Sequence, residues 1–377
     1  MLPNLQQKRR YTQGAFFMMF VLAPVFDIFR LDLNLGHFII FGQNWTLGLD
    51  AFQQGQMTAG EAVFNIFTRV FLPLALIAGL IIGSAWKYGR LYCGWLCPHF
   101  SVVETINKFM FRASGKPSIW EKHILPAKQA DASLITPNKI YWIPTLIAVG
   151  FFSLLWAVTF LTYLLPPMEI YYNLIHAELT RNQSIFIGIV TLLLTIEFTF
   201  ARHLFCRYAC AVGVFQSLTW MANKRAMVVG FNHKRAQECH DCNNACDNAC
   251  PMRLHPRTIK RKMFTCTTCA QCISACSTFS AQKNRPGLLK WVQDDCALHV
   301  SDRGFGKSPK IPNNCFENKM QVRRSSASRQ LLLRCSTFRH PWRSLRSRHS
   351  HIHVHHANEH ESQTDDNNVR TAHPTEY

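Results

Sequence analysis

Most of the chemistry open to this chain lies in its fifteen cysteines. Cys266, Cys269, Cys272 and Cys276 are separated by two, two and three residues, the run that wraps a cubane [4Fe–4S] cluster. Three closely spaced thiolates bind three irons from one loop, and the fourth cysteine reaches a second cluster. Cys239, Cys242, Cys246 and Cys250, followed by Pro251, form the partner run. Its Cys-Pro ending is that of a two-cluster ferredoxin, with one residue inserted between the second and third cysteines. Ser277 stands where the second run would carry proline. Crossed ligation then assigns one cluster to Cys239, Cys242, Cys246 and Cys276, and the other to Cys266, Cys269, Cys272 and Cys250. A pair of zinc sites would also use four thiolates each, but zinc favours two separated pairs over two runs of four.

Four more cysteines form two C-x3-C pairs, Cys93/Cys97 and Cys206/Cys210. The text around them repeats: Arg90-Leu91-Tyr92-Cys93-Gly94-Trp95-Leu96-Cys97 lies over His203-Leu204-Phe205-Cys206-Arg207-Tyr208-Ala209-Cys210. This predicts two helical hairpins, each ending on the same side of a membrane. Residues four apart on a helix share a face, so each pair would present both sulfurs together and four thiols would converge. Such a set can hold a soft ion such as Cu(I), act as redox thiols, or serve as plain buried packing. Cys296, Cys315 and Cys335 have no partner spacing and read as incidental. His99, just after Cys97-Pro98, reads as a ligand or, more simply, as a solvated loop histidine. Asp27, Arg69, Glu197, Arg202 and His203 are functional candidates as intramembrane ionisable groups, although near span ends they can snorkel to the interface.

The elements that position these cysteines follow from composition. The chain is 48% hydrophobic and 17% charged, where soluble domains carry roughly 25% charge, so a plain soluble enzyme is excluded. Apolar stretches at residues 14–29, 70–86, 141–165 and 184–201 meet the requirement of about 20 residues per bilayer crossing. The first, after Lys8, Arg9 and Arg10, reads as an uncleaved anchor. Eight lysines and arginines lie between residues 87 and 139, whereas residues 31–68 carry none. The positive-inside rule therefore places the N-terminus, the 87–139 loop and everything after Arg202 in the cytoplasm. The formal net charge of +19 is accounted for by such loops and by the tail. No nucleic-acid recognition module is present in the text.

The expected fold is a polytopic α-helical membrane protein of about four transmembrane helices, with a small α+β two-cluster bacterial-ferredoxin-like domain. Residues 1–217 form the membrane part, 218–301 the ferredoxin part, and 302–377 a basic, His-rich tail whose composition predicts disorder.

The Cys93-Gly94-Trp95-Leu96-Cys97-Pro98 motif, the second C-x3-C pair and the two cysteine runs resemble those of the membrane polyferredoxins that include NapH, NosR and CcoG. Within that group the chain is most similar to the cytochrome c oxidase accessory proteins. Asp32–Gly42 is similar to their stretch after the first span, and Arg285–Trp291 to the segment that closes their ferredoxin domain. The likeness covers roughly residues 10 to 292. It departs at Ala211, where the group often has proline, at the inserted residue, and in the tail, which replaces a final helix and an outer β-sandwich. The resemblance implies electron transfer at a bacterial inner membrane, two [4Fe–4S] clusters, a cytoplasmic electron donor, and a membrane redox complex or oxidase assembly machinery as partner. It also implies reduction of cupric ion during oxidase assembly. The alternative is a copper-binding assembly factor or metallochaperone without redox turnover.

Overall fold

The computed structural model describes residues 3–116, 118–301 and 311–316. The expected disordered tail, with Cys335 and the His-rich run, lies outside the described residues apart from 311–316. Three helices are long and apolar enough to cross a membrane: Ala59–Tyr88, Lys139–Thr162 and Arg181–Ala201. The first starts well before Val70 because Thr58 and Glu61 close a capping box at its N-terminus. Within it, Phe67–Phe71 form a π-helical turn. Pro73 causes this by removing one backbone N–H and crowding the carbonyl of Arg69. Lys139–Thr162 is the central helix, and Arg181–Ala201 packs along it.

The apolar stretch expected at residues 14–29 has different bounds. The helix there is Pro3–Leu22, which takes in Lys8, Arg9 and Arg10 and is not among the three membrane-length apolar helices. It stops before Pro24, and the chain turns at Asp27 (φ +49). Its polar half is buried rather than solvated: Arg9 is 1% exposed and Gln13 5% exposed. Its apolar half packs Phe17 against Phe152 and Trp156, and Phe20 against Trp156. A three-stranded antiparallel sheet follows, β1 (Phe29–Asp32), β2 (His37–Ile40) and β3 (Gln43–Trp45). It is tied to the end of the central helix by Leu31 N–H donating to the Tyr163 carbonyl at 2.9 Å. Asp27 does not snorkel alone; Arg30 bridges it to Asp32.

The repeat in the text is also a repeat in the backbone. Ala59–Tyr88 ends at Gly89 (φ +74), a short helix Leu91–Trp95 carries Cys93, and Cys97 caps the helix Pro98–Ser114. Arg181–Ala201 ends at Arg202 (φ +44), a π turn Phe205–Ala209 carries Cys206, and Cys210 caps the helix Ala211–Ala222. Each apolar helix is thus broken by one left-handed residue and redirected into a helix that begins at the second cysteine. A side chain at Gly89 would also meet the Trp220 indole at 3.1 Å.

Beyond Ala222, β4 (Val228–Phe231) pairs antiparallel with β5 (Leu289–Val292). Both cysteine runs lie between these strands, and the helix Gln271–Gln282 packs on β5. Val228, Val229, Met252, Ile273, Leu289 and Val292 form the core beneath them. The helix Ala211–Ala222 runs through residues 217 and 218, and the described residues belong to one compact unit. Cys296 and Cys315 are not incidental: they are joined by a disulfide. The returning chain lays Ile311 over Gly230, where a side chain would stand 3.2 Å from it, and this brings the two cysteines together.

Candidate metal centre

The structure divides the eight cysteines of the two runs into two sets of four. Cys239, Cys242, Cys246 and Cys276 line one small cavity with Phe231, Phe279, Leu288 and Leu289. Cys250, Cys266, Cys269 and Cys272 line a second with Val229, Met252, Leu254 and Met263. Each set takes three cysteines from one run and the fourth from the other. The inserted residue is absorbed at Asn243 (φ +46) and Asn244 (φ +53). Two consecutive left-handed residues turn the chain back, and asparagine tolerates that conformation better than other residues with side chains. Cys246 therefore still faces the cavity of Cys239 and Cys242. Around Cys269 the chain winds equally tightly, with Thr268 at φ +48 and Ala270 at φ +59.

The donor chemistry of both sets fits a [4Fe–4S] cluster. Each cavity offers four soft thiols in an otherwise mostly apolar wall, and thiolate is the ligand that iron–sulfur clusters take. Backbone N–H groups point at the sulfurs: Leu254 N–H donates to Cys250 Sγ at 3.4 Å and Leu288 N–H to Cys276 Sγ at 3.3 Å. Such bonds orient and tune metal-bound thiolates. Burial pushes the thiols up, to about 11 for Cys239 and Cys250 and about 12 for Cys266. Protein charge alone thus leaves them protonated at neutral pH, whereas a coordinating metal deprotonates a thiol outright.

The C-x3-C pairs depart from the expected geometry. Neither pair sits four apart on one continuous helix. Cys97 (φ −58, ψ 118) and Cys210 (φ −69, ψ 107) are non-helical caps, while Cys93 and Cys206 lie in the preceding turns. The four thiols nevertheless come together. Every one of the six pairs among Cys93, Cys97, Cys206 and Cys210 interacts electrostatically, and burial pushes Cys97 up to about 12. Among the described residues no three His, Cys, Asp or Glu side chains are grouped so that they could hold a metal ion.

This four-thiol set is pressed against the second cavity. A Cβ at Gly94 would come within 2.2 Å of the Thr267 carbonyl and 3.3 Å of Cys269 Cβ. Trp95 Nε1 donates to the Thr268 carbonyl at 3.2 Å, and Gln6 Nε2 to the Cys269 carbonyl at 3.1 Å. Arg9 binds the Gly94 carbonyl at 3.1 Å and Glu104 Oε1 at 2.7 Å. Gln271 Nε2 donates to the same carboxylate at 3.0 Å. Glu104 thereby joins the N-terminal helix, the helix Pro98–Ser114 and the start of Gln271–Gln282. The adjacent guanidinium of Arg9 and ammonium of Lys108 overcome its burial and hold its carboxyl down at about 2.

Glu197, Arg202 and His203 are candidates from the sequence, whereas Arg9 and Glu104 are not. His99 is no solvated loop residue: it lies within the helix Pro98–Ser114, with Nε2 2.8 Å from Glu197 Oε1 and its ring near Phe198 and Phe205. Arg202 is 5% exposed and donates to the Phe198 carbonyl and to Asn107. Burial pushes His203 down to about 4, which keeps it neutral. Arg9 and Glu104 carry no sequence signal, because their partnership spans 95 residues. Arg69, by contrast, sits in the π turn Phe67–Phe71, where its carbonyl accepts from Trp45 Nε1 at 3.0 Å.

Known proteins were compared with this geometry in hand. A family model described as a 4Fe-4S binding domain matches residues 70–117 and 182–226. These segments contain the two C-x3-C pairs and neither cysteine run. The chain is 25% identical over 217 residues to the Escherichia coli (strain K12) protein named "Putative electron transport protein YccM", a match covering 56% of each chain. It thus spans little more than half the length of that relative. It is 23% identical over 276 residues to the uncharacterized protein MJ0750 of Methanocaldococcus jannaschii, covering 73% of this chain and 94% of the relative. The uncharacterized protein MJ0749 of the same organism is 24% identical over 200 residues, covering 52% of this chain and 65% of the relative. No solved structure matches. The chain thus combines segments that match a 4Fe-4S binding domain with three helices long and apolar enough to cross a membrane.

Proposed function

We propose that the chain carries single electrons from a cytoplasmic donor to an acceptor at the membrane face. The observation that carries this reading is the pair of four-cysteine cavities, the second of which abuts the C-x3-C segment through Gly94 and Trp95. A relative named for electron transport supports it. Bound [4Fe–4S] clusters supply reversible one-electron chemistry. Cys239, Cys242, Cys246 and Cys276 would hold one, and Cys250, Cys266, Cys269 and Cys272 the other. Phe231, Leu288 and Leu289 on one side, and Met252, Leu254 and Met263 on the other, exclude water from the two sites. Gln6, Arg9 and Trp95 fix the Thr267–Cys269 loop against the membrane part.

The membrane arrangement follows from the same contacts. The N-terminal helix reaches the Cys269 loop through Gln6 at one end, and at its other end the Phe20 carbonyl accepts from Tyr163 Oη at 2.8 Å. It therefore reaches from the Cys269 loop to the end of the central helix and would serve as a fourth crossing. With the basic 87–139 loop inside, the cysteine runs face the cytoplasm of a bacterial inner membrane. Reporter fusions should place residues 115 and 260 inside and 50 and 175 outside. An external residue 260 would overturn the proposed donor side.

A second reading gives the four membrane-face thiols to copper, with Cu(II) captured there, reduced by one electron passed on from a bound cluster, and released as Cu(I) to an oxidase assembly partner. The soft, largely water-excluded donor set favours it. The first test is composition. Anaerobically purified chain should contain at least about eight irons and as many sulfides. Stoichiometric zinc without a visible chromophore would refute the iron–sulfur carrier.

A further inference from the structure

Where the helix Arg181–Ala201 ends, the fold leaves a cavity of about 380 Å³ that the carrier role does not use. Its wall is built from the helix Pro98–Ser114 and from residues 118–129, 201–207 and 248–253. The size is that of a small-ligand pocket. A bare ion would leave the apolar side of the wall, Phe111, Trp120, Leu125 and Leu204, without an occupant. The charged side is unevenly paired. Glu121 accepts both arms of the Arg253 fork, at 2.9 and 2.7 Å. Glu104 is held by Lys108 at 3.1 Å and by Arg9, from outside the wall, at 2.7 Å. Arg202 and Arg207 form no ion pair with a carboxylate among the described residues.

The same wall carries buried polar atoms with no hydrogen-bond partner: Arg207 Nε, Arg253 Nη1, His203 Nδ1 and Glu104 Oε2. Leaving such atoms unpaired is costly. The two guanidinium N–H groups call for an anionic oxygen, the usual partner of an arginine fork, and Glu104 Oε2 calls for a donor such as a hydroxyl. Position selects the source of that anion. Ala201 closes a membrane-length apolar helix. Trp120 Nε1 donates to the Phe200 carbonyl at 2.8 Å, and its indole is 64% exposed. Leu204 and Tyr208 are exposed beside it. Amphipathic rings at the end of a crossing mark the headgroup level, so the cavity lies at the depth of lipid phosphates. Basic pockets beside membrane helices take acidic headgroups.

We propose that this cavity binds one phosphodiester anion, the headgroup of an acidic phospholipid, through Arg207 and Arg253. The phosphate accepts from Arg207 Nε and Arg253 Nη1, and the acyl chains lie along the exposed Phe200 and Leu204. A headgroup hydroxyl, as in phosphatidylglycerol, donates to Glu104 Oε2. The bound lipid fastens residues 248–253, Cys250 among them, to the turn at residues 201–207. This goes beyond the carrier reading and does not require iron to be bound.

The test uses the full chain, purified in detergent and delipidated. The probes are mixed micelles containing phosphatidylglycerol, mixed micelles containing phosphatidylcholine, whose phosphate is offset by its own ammonium, and inorganic phosphate. Native mass spectrometry should retain one phosphatidylglycerol per chain, bound about tenfold or more tighter than phosphatidylcholine. Arg207→Gln should weaken that binding about tenfold, and Arg207→Lys, which keeps the charge, should weaken it less. Lys122→Gln, at an exposed lysine outside the wall, should leave it unchanged. Equal retention of the two lipids would overturn the anion site, and that comparison needs wild type alone. Inorganic phosphate binding as tightly as phosphatidylglycerol would overturn the lipid as occupant. Equal losses in Arg207→Gln and Lys122→Gln would reveal diffuse surface attraction and sink the proposal too. Failure of the carrier reading would show differently, as wild type that holds no iron yet binds lipid as before.

Discussion

Removing the charge of Glu104 should loosen the junction between the membrane part and the second cysteine cavity. The carboxylate is 7% exposed and meets Arg9 at 2.7 Å, Lys108 at 3.1 Å and Gln271 at 3.0 Å. Its folded pKa of about 2 against an ordinary 4.5, at about 1.36 kcal/mol per unit, corresponds to roughly 3 kcal/mol of stability. The independent expectation for breaking a buried pair, about 3–5 kcal/mol, agrees because Arg9 would be left buried and unpaired. Glu104→Gln should therefore cost about 3 kcal/mol in denaturant titrations of the full chain in detergent. The second cluster's visible absorbance should be lost before that of the first. The sign with pH is fixed: a carboxyl depressed in the folded state contributes fully above its unfolded value near 4.5 and loses that contribution as pH falls toward 2. Glu104→Gln should flatten that part of the stability profile. The double variant Arg9→Met/Glu104→Leu should recover most of the loss, since no buried charge is then left unpaired. A cost below about 1 kcal/mol for Glu104→Gln, or an unchanged pH profile, would refute this account of the junction.

Three further outcomes follow from the geometry. Gly94→Ala should separate the membrane-face turn from the Thr267 carbonyl that its methyl would strike at 2.2 Å. Overpacking against backbone costs about 1–3 kcal/mol, and unchanged thermal stability would count against the close approach. Cys250→Ser should disable the cluster bound by the second run, and Cys276→Ser that of the first, in iron analysis and EPR; each variant sparing the other run's cluster would bear out the crossing, and the reverse pattern would sink it. Cys296→Ser should lower unfolding stability by about 3 kcal/mol, the loop-closure value for a separation of 19 residues, and equal stability in oxidised protein would contradict it.

The spacing of the cysteines was enough to divide them into sets, because cluster-binding runs are local and their crossing is a fixed geometric habit of two-cluster folds. Apolar length was enough to find three membrane helices, since a bilayer imposes one length on all of them. The C-x3-C repeat was also legible as text, but its shape was not. A four-residue spacing suggests a shared helical face, whereas Gly89 and Arg202, at positive φ, break the helices and make Cys97 and Cys210 caps. The bounds of the N-terminal helix were hidden for a related reason. Its charges look like a flank to a span, yet Arg9 is sheathed by Glu104 and the Gly94 carbonyl.

What tertiary structure alone decided are the partnerships between residues far apart in the chain: Arg9 with Glu104, His99 with Glu197, and Arg90 with Cys206. None has a local spacing, because the cost of burying a charge is set by whatever the fold brings against it. The sequence by itself determined which atoms can bind metal and roughly where the membrane lies. Only packing determined that the Arg90 guanidinium, on one half of the repeat, donates to the Cys206 carbonyl on the other.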